Sequence, residues 1–364
     1  MWRGEWWRRR RGSPVPRVAG IDPGTLSVDV CGLDDGRLFL DATWPTADLL
    51  ADPRPLLDAL LSAGPVELVV GPSGYGLPLR PARDVSDEEL RLAFLAPPAE
   101  TGGIGGLRSL ARQLDAAGVP LWLTPGVIHL DTVPRHRKLN RVDMGTADKV
   151  CAAALAIADQ GGRREREPAD VSLVLLELGG AFTAGVAVER GQIVDGLGGS
   201  SGPIGWRGAG ALDGEVAFLA GAVTKAMLFT GGVDSVIGHD PALAGVAREA
   251  YIEGAARAAC QLRSAAPRAD EIVLSGRMTS EPAVHDALLT ALGELGEVRM
   301  LTGFASRAKQ GAQGAALVAD GLAGGTRRDL VDRLRIREAT GTVLDHLHVI
   351  TPAAARRRLG LRDG

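Results

Sequence analysis

The chain of 364 residues is too long for one small hydrophobic core and suits two α/β domains of ordinary size. Hydrophobic residues make up 45% and charged residues 23% of the chain, which are values typical of a globular protein. The formal net charge of -3 at pH 7 gives no reason to invoke nucleic acid or a membrane as a partner, so we expect small-molecule partners.

The three cysteines, Cys31, Cys151 and Cys260, lie far apart and form no CxxC pair, which argues against a disulfide framework and against a zinc site. They fall in apolar strand and helix patterns, so we expect all three in the core. This cysteine usage is typical of a reduced cytoplasm, and no apolar stretch reaches the length of a membrane span without interruption.

Residues 1–17 combine basic residues with three tryptophans and two prolines, and they lack the apolar core and cleavage site of a signal peptide. We predict a disordered basic arm. Contact with nucleic acid or anionic lipid is one interpretation. An extended gene start or a solvated tail is the interpretation that we favour.

An apolar run at residues 18–21 ends at Asp22-Pro23-Gly24-Thr25, and apolar residues alternate with polar ones from residue 26 onward. The pattern predicts a strand, a tight turn and a second strand. Gly24 permits close approach of a ligand, Thr25 adds a hydroxyl group, and Asp22 places a carboxylate at a strand end. The stretch fits a nucleotide phosphate with its Mg²⁺, and it also fits an ordinary hairpin turn, in which Asp, Pro and Gly are common.

A third antiparallel strand is predicted at residues 38–44, and a buried strand at 66–70 opens on the glycine-rich loop 71–76. This loop suits either close approach of a ligand at a strand end or a rigid turn. Ser86 and Glu89 form the pattern of a capping box at the start of a short helix that ends near residue 94. Another helix is predicted at 107–117 and another strand at 119–128.

Residues 131–141 carry five side chains that are basic or histidine within seven positions, directly after a strand end. Such a run is ordinarily a solvated surface, but α/β sheets bind their ligands at strand ends, so we favour an anion site. Asp143 precedes a helix predicted at 147–159 and is interpreted as a helix cap, an active-site carboxylate, or both.

Residues 161–169 are charged, begin with glycine and include a proline, which is typical of a domain boundary. A second acidic turn follows, in which an apolar strand at 171–178 ends in Glu177-Leu178-Gly179-Gly180 and a new strand begins near residue 182. Neither turn contains a GxxxxGK[ST] loop or leads directly into a helix, so Walker-type and dinucleotide-type sites are disfavoured. The remaining interpretation is a phosphate site formed by two β-hairpins.

The rest of the chain alternates strands and helices after a glycine-rich segment at 196–210, which is long enough to be functional. Helices are predicted at 213–229, 241–265, 281–295, 310–323 and 327–338. Strands are predicted at 272–275 and 298–301.

These motifs carry a family resemblance. The Asp22 to Thr25 turn resembles the first phosphate motif of the acetate and butyrate kinases, which belong to the ATPase superfamily of sugar kinases, Hsp70 and actin. Residues 177–181 resemble the second phosphate motif, and residues 272–278 resemble the adenosine motif, so the resemblance spans residues 18–325. Residues 72–76 and 132–149 look like an uncharacterised family of predicted butyrate kinases.

The resemblance implies two ribonuclease-H-like α/β domains of the actin-like ATPase class with a nucleotide cleft between them, and ATP with Mg²⁺ as cofactors. The expected domains cover residues 18–165 and 166–325, followed by a helical extension at 326–364. A homodimer is one assembly that we consider for this chain.

Phosphoryl transfer needs acidic anchors for Mg²⁺, backbone donors around the phosphates and a cationic group at the transferred phosphoryl. Asp22 and Glu177 are the expected anchors for the metal. The residues expected to contact the nucleotide lie in the three motifs: Asp22, Gly24, Thr25, Gly179, Gly180, Ser275 and Gly276. The residues expected to contact the acceptor or to act in catalysis lie in the basic segment and after it: Arg135, Arg137, Lys138 and Asp143.

A carboxylic acid with a pKa of about 4 to 5 is already an anion at neutral pH and needs cationic positioning, whereas a sugar hydroxyl needs a carboxylate base. The basic segment favours a kinase that phosphorylates a carboxylic acid and forms an acyl phosphate. Asp131 and Asp143 could serve as the base that a hydroxyl acceptor needs, so a hydroxyl acceptor stays an alternative. A regulatory or chaperone-like ATPase and a non-catalytic nucleotide-binding protein are the alternatives.

Overall fold

The computed structural model describes residues 16–24, 26–62, 64–71, 73–96 and 104–361. Thr25 and most of the arm at residues 1–17 lie outside the described residues, so the predictions made for them stay predictions. The chain divides into two compact units, of which the first comprises residues 1–142, 146–170 and 302–364 and the second comprises residues 143–145 and 171–301.

The strands in chain order are β1 (Arg17–Pro23), β2 (Ser27–Asp34), β3 (Arg37–Pro45), β4 (Leu68–Gly71), β5 (Arg80–Pro81), β6 (Leu121–Leu123), β7 (Leu173–Leu178), β8 (Thr183–Glu189), β9 (Gln192–Leu197), β10 (Glu271–Ser275) and β11 (Glu297–Met300). The α-helices are α1 (Thr46–Ala51), α2 (Arg54–Ser62), α3 (Asp87–Phe94), α4 (Ile104–Ala116), α5 (Arg135–Lys138), α6 (Ala147–Arg164), α7 (Gly214–Ala220), α8 (Val233–His239), α9 (Ala244–Ala265), α10 (Pro282–Gly293), α11 (Gln310–Leu322), α12 (Arg328–Leu334) and α13 (Pro352–Arg358). Short 3-10 turns lie at Ala82–Asp84, Val127–His129, Pro168–Asp170, Ala226–Phe229, Pro241–Leu243, Arg277–Ser280 and Ile336–Glu338.

The described residues of the first unit form a sheet in the order β3-β2-β1-β4-β6-β5. Strands β1, β2 and β3 make the antiparallel meander that the sequence predicts, and β1 continues in parallel pairing to β4. The predicted capping box at Ser86 and Glu89 begins α3. The core of this unit lies between the sheet and its helices and is built from branched and aromatic residues of the strands, α3 and α4.

Helix α11 packs unusually close to its neighbours in the first unit because small residues meet at each contact. A Cβ atom added to Gly20 in β1 would lie 2.2 Å from the backbone nitrogen of Ala316. A Cβ atom added to Gly314 would lie 1.8 Å from the carbonyl oxygen of Cys151 in α6. Both distances are far below van der Waals contact, so the glycines are required for this packing.

The described residues of the second unit form a sheet in the order β11-β10-β7-β8-β9. Strands β7, β8 and β9 are an antiparallel meander, and β10 and β11 extend it in parallel. This arrangement repeats that of the first unit, with β7 in the place of β1 and β10 in the place of β4. Tyr251 and the alanine face of α9 cover the sheet and form the core with α10.

Three sequence predictions about boundaries and burial need correction. Residues 302–325, assigned above to the second domain, pack in the first unit because α11 contacts β1 and α6. The arm ends one residue earlier than expected, since Arg17 is the first residue of β1 and is held by Asp34 at 2.8 Å. Cys260 is exposed rather than in the core, whereas Cys31 and Cys151 are buried as expected.

Candidate active site

The turn after β1 is built by backbone hydrogen bonds around Gly24. The Gly24 N–H donates to the carbonyl oxygen of Ser27 at 2.9 Å and lies 3.1 Å from that of Asp22. The Thr46 hydroxyl donates to the Gly24 carbonyl at 2.7 Å. The turn is therefore fixed from both sides, and Asp22, at the end of a buried strand, is 8% exposed.

Asp22 has a second carboxylate opposite it, because its cross-strand partner in β2 is Asp29. Like charges at opposed positions repel one another unless other groups compensate them. The Lys309 ammonium lies 3.2 Å from Asp29 Oδ2, and the Ser27 hydroxyl donates to the same oxygen at 2.7 Å. Lys309 Nζ also lies 3.2 Å from the position of a Cβ on Gly24, so one cation stands beside the turn.

The Asp22 carboxylate meets the first turn of α11. A Cβ atom added to Gly311 would lie 2.5 Å from Asp22 Oδ2, so the glycine lets the helix start approach the carboxylate. The amino end of a helix carries a partial positive charge that favours a nearby anion. The Asp22 carboxylate therefore lies where the start of α11 supplies positive potential.

The turn between β7 and β8 repeats the geometry of the first turn. The Gly179 N–H donates to the Phe182 carbonyl at 2.9 Å, which is the bond that Gly24 makes to Ser27. Each donor is followed by its acceptor three residues later. Glu177 stands two residues before Gly179, as Asp22 stands two residues before Gly24. The two acidic residues therefore occupy equivalent positions in the two sheets.

A glycine-rich segment at residues 205–208 holds the second turn. The backbone N–H groups of Arg207 and Gly208 both donate to the Ala181 carbonyl at 3.0 Å. Gly205 and Gly208 lie so close to Phe182 that a Cβ on either would be within 2.7 Å of it. This contact gives the glycine-rich segment, predicted to be functional, a role in shaping the turn.

The adenosine-like motif lies beside Glu177, because Ser275 at the end of β10 pairs with Glu177 in β7. Ser275 is 2% exposed, and among the described residues its Oγ has no hydrogen-bond partner. Gly276 has φ +94° and leaves no room for a side chain, since a Cβ there would lie 2.5 Å from the Leu178 carbonyl oxygen. The second unit therefore brings together Glu177, Gly179, Gly180, Ser275 and Gly276.

Asp143 belongs to the second unit by its contacts and is 8% exposed. Its Oδ2 accepts hydrogen bonds from the Ser200 N–H at 2.9 Å and the Ser200 hydroxyl at 2.8 Å. Gly198 lies against it, with a Cβ position 1.7 Å from Oδ1. Asp143 is consequently held by the glycine and serine loop after β9, rather than by the cap of α6.

Two charged residues in the first turn of α6 were not singled out from the sequence. Asp148 and Lys149 form an ion pair. Burial acts to raise the pKa of Asp148, but the Lys149 ammonium and the Thr146 hydroxyl outweigh burial and hold that pKa below its usual value. Burial raises the pKa of the Cys151 thiol, and the charges of Asp148 and Asp22 add to this shift. This places Asp148 and Asp22 in one electrostatic neighbourhood of the first unit.

The residues of the basic segment at 131–141 differ in their contacts. Lys138 is 6% exposed, and its ammonium donates to the Leu130 carbonyl at 2.7 Å, so this residue stabilises the loop that precedes α5. Burial lowers the pKa of Lys138. Asp131 accepts a hydrogen bond from Arg335 at 3.0 Å. Arg135 is exposed and Arg137 is half-buried. These two arginines are the residues of the segment for which contact with an anionic acceptor stays a prediction.

The loop after β4 fits the rigid-turn interpretation. The Ser73 hydroxyl donates to the Thr124 carbonyl at 2.7 Å, and the Ala147 N–H donates to the Gly74 carbonyl at 2.8 Å. Gly76 has φ +96° and contacts the backbone of Gly126. The loop is thus held in place by contacts within the first unit.

The two turns have the chemistry that Mg²⁺ and a nucleotide need. Mg²⁺ is bound through one or two carboxylates together with water and phosphate oxygens, so it does not need a protein cage of several ligands. The described part of the chain contains no group of three or more His, Cys, Asp or Glu side chains that could hold a metal. The buried Ser275 hydroxyl, which has no hydrogen-bond partner among the described residues, fits a polar ligand, whereas the Cβ positions of Gly24, Gly179 and Gly276 are occupied by other parts of the chain.

Sequence reasoning missed Asp29, Lys309, Gly311 and the Asp148 and Lys149 pair. Asp29 could have been found, because strand alternation places it opposite Asp22 once the turn is assigned. Lys309 and Gly311 lie far along the chain, and no local pattern relates them to the first turn.

No helix in the described ranges is both long enough and apolar enough to cross a membrane.

Two α/β units, each with a meander, parallel strands and an acidic glycine turn, have the actin-like ATPase fold, as the resemblance implied. An acetate kinase from Entamoeba histolytica superposes with a TM-score of 0.55 at 11% identity, covering 77% of this chain and 87% of that one. A propionate kinase from Francisella tularensis subsp. tularensis SCHU S4 gives a TM-score of 0.57 at 11% identity, covering 82% and 98%. An acetate kinase from Porphyromonas gingivalis gives 0.53 at 13% identity, covering 77% and 88%.

The chain belongs to the family described as "Protein of unknown function (DUF1464)", which matches residues 20–349. A search of curated proteins finds no match to the chain. At these identities the structural neighbours define the fold, and the resemblance to butyrate kinases remains a sequence-based expectation.

Proposed function

We propose that the chain is an ATP-dependent phosphotransferase that acts on a small carboxylic acid and forms an acyl phosphate. The observation that carries the proposal is the equivalence of the two turns, in which Asp22 and Glu177 occupy the same position relative to the same backbone hydrogen bond. An ordinary hairpin turn needs no acidic residue at that position twice. A protein that binds Mg²⁺ and phosphates does need carboxylates beside backbone donors.

In this proposal each unit supplies part of the nucleotide site. Asp22 and Gly24, with Thr25 as predicted from the sequence, contact phosphate and Mg²⁺ from the first unit. Glu177, Gly179 and Gly180 do the same from the second unit, and Ser275 and Gly276 border the adenosine. ATP supplies the transferred phosphoryl group, and Mg²⁺ neutralises charge on its oxygens.

The acceptor is proposed to be an anion. A carboxylic acid is ionised at neutral pH and needs positioning by cations more than deprotonation. Arg135 is exposed and Arg137 half-buried, so they are the residues proposed to position it. Lys138 is left out of this role, because its ammonium is bonded to the Leu130 carbonyl.

A hydroxyl acceptor is the second candidate, and one observation favours it. Asp143 is buried and held by two hydrogen bonds from Ser200, which is how an enzyme fixes a carboxylate base. The two candidates differ in product, because an acyl phosphate reacts with hydroxylamine and a phosphate ester does not.

The test is a screen of short-chain acids from acetate to hexanoate with Mg-ATP and hydroxylamine, in which hydroxamate and ADP are measured together. The proposal expects acid-dependent hydroxamate that Asp22→Asn removes. Asp48→Asn, at an exposed position of α1, serves as the matched control and should leave the activity unchanged. ADP formation without any acid would instead identify a nucleotide-driven ATPase, and ADP formation with a sugar would identify the hydroxyl acceptor.

A further inference from the structure

A pocket of about 430 Å³ lies in the first unit, away from the Asp22 turn. It opens between the β2–β3 turn and the carboxyl-terminal part of α11, whereas Asp22 meets the amino end of that helix. Gly311, which meets Asp22, and Asp320, which lines the pocket, are nine residues apart in α11, or about 13 Å along the helix axis, so the two places are distinct. The volume lies in the range of about 300 to 1,000 Å³ that is usual for small-molecule sites.

The walls of the pocket are mainly apolar. Six apolar side chains from β2, β3, α6, α11 and the segment before α11 line it: Leu33, Leu38, Leu155, Ala158, Phe304 and Leu317. Leu38 remains 41% exposed. An apolar ligand body would cover surface that water now reaches.

Asp320 gives the pocket a buried acceptor. It is 1% exposed, and its Oδ2 accepts hydrogen bonds from the Arg327 N–H at 2.8 Å and the Thr326 hydroxyl at 3.2 Å. Within the described ranges its Oδ1 has no hydrogen-bond partner. A buried carboxylate oxygen left unpaired is unfavourable, and a donor group on a ligand would remove that cost.

Two arginines line the same pocket and supply positive charge. Arg37 is exposed, and Arg327 is half-buried. Burial lowers the pKa of Arg327, which the Asp320 carboxylate opposes. A guanidinium group in this position favours a carboxylate, because the two can form paired hydrogen bonds.

We propose that this pocket binds a small hydrophobic zwitterion of the α-amino acid class. The apolar walls take the side chain, Asp320 takes the ammonium group, and Arg327 takes the carboxylate. The site is separate from the proposed nucleotide site, so its occupancy does not depend on phosphotransferase activity.

The test is calorimetric titration of the full chain, without nucleotide, using three probes of similar body. L-phenylalanine carries both charges, 2-phenylethylamine lacks the carboxylate, and 3-phenylpropionate lacks the ammonium group. We expect L-phenylalanine to bind most tightly and each analogue to bind about ten-fold more weakly, because each loses one charge-assisted contact.

Variants assign each contact. Asp320→Asn should weaken the two amines about ten-fold and leave 3-phenylpropionate within two-fold, and Arg327→Gln should show the reverse preference. Arg328→Gln is the matched control, since its neighbouring guanidinium is exposed and is not among the lining residues. Ala158→Phe should fill the pocket and abolish binding of all three probes.

Absence of L-phenylalanine binding by the folded wild-type chain would overturn the proposal. Undiminished binding by folded Ala158→Phe would do the same. Circular dichroism of each variant establishes folding, and Arg327→Gln tests the site independently if Asp320→Asn does not fold.

Discussion

The two acidic turns have the same backbone geometry but different electrostatic surroundings. Asp22 stands opposite a second carboxylate, beside Lys309 and against the start of α11. Glu177 pairs across the sheet with Ser275, and its turn is held by backbone contacts to residues 205–208. The contacts described around the first turn thus include several charged groups, whereas those described around the second turn are mainly between backbone groups. We therefore expect substitutions of charge to matter more in the first turn than in the second.

Close packing around α11 is what positions the first turn, and Gly314→Ala tests this dependence. The added methyl group would meet the Cys151 carbonyl at 1.8 Å, so we expect a loss of about 3 kcal/mol in the free energy of unfolding. Chemical denaturation measures the loss. Gly162→Ala is the matched control in α6, where a Cβ meets nothing within 4 Å, and it should stabilise by up to about 1 kcal/mol. Equal effects of the two substitutions would remove the packing argument.

A buried histidine makes the first unit sensitive to acid. His129 is 2% exposed, and burial lowers its pKa from 6.5 to about 4. The unfolded chain binds a proton below about pH 6.5, while the folded chain does so only near pH 4, so stability falls as the pH is lowered through this window. The loss at pH 4.5 should be about 2.5 kcal/mol.

The measurement is the unfolding free energy of the wild type and of His129→Gln at pH 7 and pH 4.5. Carboxylates titrate in both proteins, so the difference between their pH dependences isolates the histidine. An identical pH dependence would contradict the assignment of this acid sensitivity to His129.

In the second turn, Glu177→Gln keeps the side-chain length and removes the charge. If the second turn mainly holds a shape, Mg-ATP affinity should fall only about ten-fold, as for one charge-assisted contact. Calorimetry with Mg-ATP measures the change. Glu167→Gln, at an exposed position before β7, is the control that should leave affinity unchanged. A loss larger than that of Asp22→Asn would reverse the comparison between the turns.

Outside both turns, Arg135→Ala should lower acid-dependent turnover about ten-fold and change Mg-ATP affinity by less than about two-fold. The reason is that an ionised acceptor is positioned by cations, whereas the nucleotide is held elsewhere. Arg358→Ala in α13 is the control for loss of an arginine on the same unit. Equal losses of turnover and nucleotide affinity would assign Arg135 to the nucleotide instead.

The sequence predicted both hairpins, because Asp-Pro-Gly and Leu-Gly-Gly are strong turn signals between alternating apolar residues. It also predicted the duplicated meander, and the two sheets confirm it. The assignment of residues 302–325 to the second domain was wrong. The small residues of α11 suit close contact with either sheet, so they do not predict which sheet the helix packs against. Contacts such as that of Gly20 with the backbone of α11 relate the two segments in the folded chain.

Site residues with a local sequence signal were also predicted, whereas those that depend on distant contacts were not. Asp22 and Glu177 were predicted because each lies at a strand end before a glycine turn, which is a local signal, and Ser275 was predicted from the resemblance to the adenosine motif. Lys138 was grouped with its basic neighbours, although the fold buries it against the Leu130 carbonyl. Contacts such as that of Lys309 with Asp29 depend on distant parts of the chain, and a single sequence carries no periodic signal for them.

The most direct test of the central claim, that the first acidic turn binds Mg²⁺ and nucleotide phosphate, is a calorimetric titration of Mg-ATP into the wild type and Asp22→Asn. Asparagine is tolerated in turns, so the variant should fold while losing the charge that anchors the metal. The account predicts tight binding by the wild type and a loss of about a hundred-fold in the variant. Equal affinity in the two folded proteins, or no binding by the wild type, would contradict it.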